Sequence, residues 1–345
     1  MNSPSRPRRR TLWSAAALGV VGAGVVADRY LVRRVRGHAA DEPFGALPAD
    51  RTRRVRTTDG IELYAEEVGA SDARLTVVFV HGFMLELASW HYQRLALAGD
   101  GVRLVFYDQR WHGRSDSGER AALSVSQLGR DLVCVLSECA PDGPVVLVGH
   151  SMGGIAVQAL VEDFPDLLRE RIVGVALISS SAGELQEVTF GLPRAVVRPL
   201  RRALPPLVQT LPAALELARR AGGGARVVLT QLYSFGSRVD PALVAFMDQM
   251  LSGVSIGTAT AFWPMFLEHH KADSLPRLAN VPTRVIVGTA DRIIPPEHSE
   301  VIRSLVPGSR LTVVGGAGHM VILERPEAVN DVLSELLMAV MPDRE

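Results

Sequence analysis

Cysteine is scarce in this chain: two in 345 residues, Cys134 and Cys139. They stand five apart in a stretch that reads as helix, so their side chains diverge. Neither a disulfide nor a thiolate metal site fits that spacing, and both read as packing residues. Net charge is absent as well, with 37 basic and 37 acidic side chains. The balance is uneven along the chain. Residues 1–36 hold eight arginines and one acid, Asp28, leaving 29 basic and 36 acidic groups in the other 309 residues. A slightly acidic body lacks the basic surface that nucleic acid requires, so no nucleic-acid partner is expected. There is no internal repeat and no low-complexity tract. What is plentiful is apolar side chain, 47% against 21% charged, enough for a sizeable core in one large domain or two modest ones.

The arginines gather around one apolar stretch. Arg6, Arg8, Arg9 and Arg10 precede Leu12–Ala27, which carries no charge, and Arg29, Arg33, Arg34 and Arg36 follow it. The expectation is a single-pass N-terminal membrane anchor over 1–36, held in membrane lipid with arginines at both headgroup layers and the protein at the cell membrane. A secretory signal cut after Ala27 and a soluble helix of the main domain are the alternatives. Residues 37–50, GHAADEPFGALPAD, read as a linker.

Beyond the linker, strand and helix patterns alternate. Ile61–Val68 alternates apolar and polar, as a strand with one exposed face does. Leu75–Gly82, Val102–Asp108, Val145–Gly149, Arg171–Ser179, Thr283–Gly288 and Arg310–Gly316 are rich in β-branched residues, as strands buried on both faces are. Ser124 and Gln127 suggest a capping box, and Pro296 and Pro326 stand where first-turn prolines belong. The pattern predicts an α/β protein with a mostly parallel central sheet and helices on both faces, built from 51–182 and 272–345. From 183 to 271 buried-strand runs are lacking. Short proline-punctuated helices there predict a helical cap inserted over the carboxyl ends of the strands, where open α/β sheets bind ligands. Phe190, Leu192, Phe246, Met247, Met250, Phe262, Trp263 and Met265 are its candidate pocket residues. Arg198, Arg201 and Arg202 form a solvated face or one turned to headgroups.

One hydroxyl stands out. In VVLVGHSMGGIAV, Ser151 lies between a buried strand and the next helix, with Gly149 and Gly153 on either side and Gly154 beyond. A residue in so sharp a turn is thrust clear of the sheet beside free helix N–H groups, the placement of a nucleophile elbow. A serine nucleophile needs a base, and the base an orienting acid. His319 follows the last strand and Asp291 the strand before it. The chain from about Arg51 onward therefore resembles the α/β-hydrolase family, with a serine esterase or lipase-like site. The resemblance implies a triad of Ser151, His319 and Asp291, and an oxyanion hole of the backbone N–H groups of Met152 and of Phe83 in VHGFM. YDQRWHGRSD resembles the family's D-x-R-G-x-G-x-S loop, with Trp111 where glycine is usual. Asp108 reads as an anchor of that loop, and His81, His112 and His150 as hydrogen-bonding residues. Glu184 is the first carboxylate after the SSSAG run, so the family's alternative acid position is empty.

The expected activity is hydrolysis of a small, amphiphilic carboxylic ester through an acyl-enzyme on Ser151, as in a carboxylesterase or monoacylglycerol-type lipase, with no cofactor and no metal. Perhydrolase or haloperoxidase-like chemistry, C–C hydrolysis and acyl transfer use the same triad and stay open. A catalytically silent binder of a small ligand is the reading from outside enzymes.

Overall fold

The β-branched runs pair into one sheet. The computed structural model describes residues 44–99, 101–188 and 223–343. Its eight strands are β1 (Arg51–Arg56), β2 (Glu62–Val68), β3 (Leu75–Val80), β4 (Val102–Tyr107), β5 (Val145–His150), β6 (Ile172–Ile178), β7 (Thr283–Gly288) and β8 (Arg310–Val314), in the order β1-β2-β4-β3-β5-β6-β7-β8. Only β2 runs against its neighbours; every other pair is parallel. Every residue of β3, β4, β5 and β7 is buried, which is why these strands read as unbroken apolar runs.

Helices cover both faces. Between the strands lie α1 (His91–Leu97), α2 (Val125–Cys139), α3 (Met152–Asp163) and α4 (Pro165–Arg171). Following β6 come α5 (Gly223–Ser234), α6 (Pro241–Gly253) and α7 (Ile256–Glu268), then α8 (Pro296–Leu305), α9 (Val321–Glu324) and α10 (Pro326–Val340). Leu128 and Leu132 of α2 and Leu160 of α3 fill one side of the sheet. Leu97 of α1 and Leu333 and Leu336 of α10 fill the other. Both cysteines are free, with Cys139 buried in the first cluster. Pro296 and Pro326 open their helices. Half of the expected capping box forms: Ser124 Oγ accepts from the Gln127 N–H, but the Gln127 side chain turns to Asp131 instead of back to the cap.

An isolated antiparallel bridge joins Gly183 to His270, at the two ends of the segment between β6 and β7. Within it α5, α6 and α7 are described; residues 189–222 are not, so Phe190, Leu192, Arg198, Arg201 and Arg202 lie outside the described residues.

The expected membrane anchor is corrected. Among the described residues no single helix is long and apolar enough to cross a membrane, and the stretch on which the anchor and the cell-membrane location rested, 1–36, lies outside them. Leu12–Ala27 is also shorter than the roughly 20 apolar residues a span requires. The apolar pair α6 and α7 reaches that length only in sum and is bent by 85° at its break. Its buried side chains, Leu243 and Met247 on α6 and Phe262 and Met265 on α7, pack into the protein's own core.

Candidate active site

The sheet delivers the candidate residues at its carboxyl edge. Ser151 sits between β5 and α3 with φ 53° and ψ −116°, a strained conformation for a residue with a side chain. Its N–H donates to the Ile178 carbonyl at 2.9 Å, which ties the turn to β6. The flanking glycines are steric necessities. A Cβ on Gly153 would stand 1.9 Å from the Val80 carbonyl oxygen, and one on Gly149 2.6 Å from that of Gly153.

Asp291 follows β7 and His319 follows β8. His319 Nδ1 and Asp291 Oδ2 are 2.8 Å apart, and Asp291 Oδ1 accepts the N–H groups of Ile293 and Ile294, each at 2.9 Å. An ionised carboxylate only accepts, so the imidazole proton sits on Nδ1 and Nε2 keeps its lone pair. All three side chains are nearly buried. Ser151 and His319 line one cavity of about 520 Å³, although no hydrogen bond joins Ser151 Oγ to His319 in this conformation. Such bonds commonly tighten only when substrate is present.

Phe83 and Met152 also line this cavity, and the backbone N–H of each has no acceptor among the described residues. Met152 opens α3, so its N–H has no partner within the helix. Phe83 stands in the loop after β3, next to Met84 at φ 61°. That loop is braced from behind: His112 Nε2 accepts the Met84 N–H at 3.1 Å, and Asp108 Oδ1 accepts the Leu87 N–H at 2.8 Å.

Three buried imidazoles surround the site in fixed tautomers. His81 donates from Nδ1 to the Gly82 carbonyl and accepts the Gln109 N–H at Nε2. His112 donates from Nδ1 to the Arg110 carbonyl. His150 donates from Nε2 to the His319 carbonyl at 3.0 Å, its ring 4.9 Å from that of His319. Burial holds all three below the ordinary histidine range, His112 at about 4 and His150 at about 3.

The other acids are elsewhere. Asp108 also accepts the Arg114 N–H, and burial pushes its carboxyl up to about 6. Glu184 is exposed. Trp111, in the glycine position of the loop, takes φ 69°, so the left-handed turn survives the substitution, held by its N–H to the Asp116 carbonyl at 2.9 Å. Of the candidate pocket residues, Met247 and Trp263 line the cavity, with Ile155, Val188 and Leu229. Phe246, Met250, Phe262 and Met265 are buried in the core instead. Phe262 packs on the rings of Phe83 and His112. Sequence reasoning missed Glu324, whose signal was a carboxylate closing the apolar run VIL. No group of three or more His, Cys, Asp or Glu among the described residues could hold a metal ion.

Known proteins resemble this chain over most of its length. The chain is 27% identical over 290 residues to a non-heme chloroperoxidase of Streptomyces lividans, covering 80% of this chain and 96% of that one. It is 28% identical over 327 residues to epoxide hydrolase A of Mycobacterium tuberculosis, covering 83% and 97%. Among solved structures, a thermophilic esterase from Thermogutta terrifontis, with malate bound, superposes with a TM-score of 0.66 at 28% identity, covering 85% of this chain and 100% of that one. The pattern of the Alpha/beta hydrolase family matches residues 77–332. With that match spanning most of its length, on an eight-stranded, mostly parallel sheet, the chain belongs to the alpha/beta hydrolase family.

Proposed function

We propose that this hydrolase cleaves carboxylic esters through an acyl-enzyme on Ser151. Ser151 Oγ attacks the ester carbonyl while His319 Nε2 takes its proton. The oxyanion lies against the N–H groups of Phe83 and Met152, donors worth about 3 kcal/mol each in comparable sites. His319 protonates the departing alcohol, then activates the water that releases the acid. Asp291 keeps the His319 proton on Nδ1 and stabilises the imidazolium. An amphiphilic ester suits the surroundings, its acyl chain lying against Ile155, Leu229, Met247 and Trp263.

The observation that carries this reading is the His319–Asp291 contact of 2.8 Å together with a serine on a strained turn, Ser151 and His319 both lining one apolar cavity. Opening an epoxide covalently would call for a carboxylate at the position of Ser151. The test is labelling with a fluorophosphonate probe, then a screen of p-nitrophenyl esters of rising chain length with monoacylglycerols alongside. Labelling at Ser151 with ester turnover supports the proposal; absence of both refutes it and leaves the silent binder.

The likeness to a non-heme chloroperoxidase favours one second reading, in which hydrogen peroxide replaces water in attacking the acyl-enzyme and a peracid leaves. Peracid formation from a carboxylic ester and peroxide, lost in Ser151→Ala, distinguishes it.

A further inference from the structure

Glu324 ends α9, five residues beyond His319, and is 6% exposed. Its carboxylate is filled on both oxygens. Oε1 accepts the N–H of Ser237 at 2.7 Å and its hydroxyl at 2.6 Å. Oε2 accepts the N–H of Gly236 at 2.9 Å and of Gly318 at 2.7 Å. Arg325 completes the cluster, donating to Ser237 Oγ at 3.0 Å.

These donors come from two pieces of chain. Gly318 immediately precedes His319. Gly236 and Ser237 follow α5, whose Thr230, Tyr233 and Ser234 line the cavity. The two pieces touch main chain to main chain. A Cβ on Gly318 would stand 2.5 Å from the Gly236 nitrogen, and one on Gly236 2.4 Å from the Gly316 carbonyl oxygen. The Met320 N–H donates to the Ser234 carbonyl at 2.8 Å, and the His319 carbonyl accepts from His150. The backbone on each side of His319 is thus held, on one side by Glu324.

We infer that Glu324 is a positioning residue: it clamps the histidine loop to the turn after α5 and so keeps His319 aimed at Ser151. The inference rests on the proposed reaction. Four donors converge on one group, and only a carboxylate, which accepts at both oxygens and donates at neither, satisfies all of them. The same clamp joins the histidine to a wall of the cavity, so whatever moves α5 also moves the base. A base displaced by a fraction of a bond length loses its reach to the nucleophile, which is why remote changes can lower turnover on the order of 10²-fold.

The test uses the full chain with Glu324→Gln and Ser237→Ala. Gln keeps the shape but turns an amide toward two N–H groups; Ala removes one donor of the four. Active sites are counted by fluorophosphonate labelling carried to completion, and p-nitrophenyl ester turnover is expressed per labelled site. The clamp predicts that kcat per site falls, on the order of 10²-fold for Glu324→Gln and several-fold for Ser237→Ala, with KM near its wild-type value. The downfield proton resonance of His319 Nδ1–H should shift or broaden in both variants. A carboxylate that only holds the fold together would reduce the labelled fraction and the thermal midpoint, yet leave kcat per site and the His319 resonance as in the wild type. That result overturns the inference. Should Glu324→Gln not fold, Ser237→Ala decides by the same readouts. Failure of the wild type itself to label refutes the hydrolase reading, and the His319 resonance in Ser237→Ala then still judges the clamp.

Discussion

Asp291→Asn isolates what the acid contributes to turnover from what it contributes to the fold. Asp291 accepts three hydrogen bonds, two of them from the Ile293 and Ile294 N–H groups at Oδ1 and one from His319 at Oδ2. An asparagine has one acceptor oxygen. Placed at Oδ1, it keeps both backbone bonds; placed at Oδ2, it sets its amide against two N–H donors. The first orientation wins, so the amide faces His319 Nδ1. The imidazole then moves its proton to Nε2 and offers Ser151 no lone pair. The expected loss in kcat is on the order of 10⁴, about 5 kcal/mol at the transition state. KM should change little, because Asp291 is not among the residues lining the cavity. Thermal stability should change little as well, since both backbone bonds survive. Asp291→Ala provides the contrast. It loses comparable activity and also strips the acceptor from the buried Ile294 N–H, which costs about 1–3 kcal/mol. Steady-state kinetics on a p-nitrophenyl ester, with thermal melts of each variant, make the measurement. The reasoning is refuted if Asp291→Asn keeps kcat within tenfold of wild type, or if Asp108→Asn or Glu184→Gln lowers it as far.

Other outcomes follow from the same geometry. Ser151→Ala should abolish ester turnover and fluorophosphonate labelling while the thermal midpoint stays put; turnover near wild type would place the nucleophile elsewhere. Trp263→Ala, on the cavity wall, should shift the ratio of rates between short and long acyl esters. Phe262→Ala, wholly buried beneath Phe83, should instead lower stability by about 3–5 kcal/mol and depress all chain lengths alike. Asp108 carries a stability term that depends on pH. Its folded value of about 6 lies above the ordinary 3.8, so the fold favours the protonated acid; the contribution is full below 3.8 and lost as pH rises through 6. Urea melts across that window should show Asp108→Asn gaining on the wild type as pH rises, by up to about 3 kcal/mol, and a constant difference would contradict it.

Of the strands that could be read from the sequence, β3 to β7 are buried almost wholly on both sides, and burial on both faces leaves a continuous β-branched signature. β2 was legible by its alternation, and β8, expected to be buried on both faces, stands at the sheet edge with only Val314 buried. The first strand could not be read. RTRRVR holds four arginines and buries only Val55. Its charge is tolerated because Arg51 and Arg53 both meet Glu67 across the strand pair, a partner that local pattern does not reveal. The candidate triad was legible because each member sits where a strand stops, and strand ends are visible as changes of pattern. Glu324 was not, since its partners Gly236 and Ser237 are 88 and 87 residues away in sequence. The pocket residues were half legible. Composition shows that the helices after β6 are apolar, but which side of a helix meets the cavity depends on how it docks. Phe262 therefore packs under the loop that carries Phe83, while its neighbour Trp263 reaches the cavity.

The three buried imidazoles have a consequence for which side chains could replace them. Two of them, His81 and His112, act as short rigid struts, each with a donor at one end and an acceptor at the other spanning two backbone groups, whereas His150 bonds through Nε2 alone. Asparagine and glutamine carry a donor and an acceptor too, but both fork from one carbon and point the same way, so neither can span that gap. The strut also has a fixed polarity. Adding a proton to His81 or His112 turns the accepting end into a second donor, facing the N–H of Gln109 or Met84. In acid these two would push apart the chain segments they now hold together, and the disturbance would begin at the loop carrying Phe83, ahead of any loosening in the sheet beneath it.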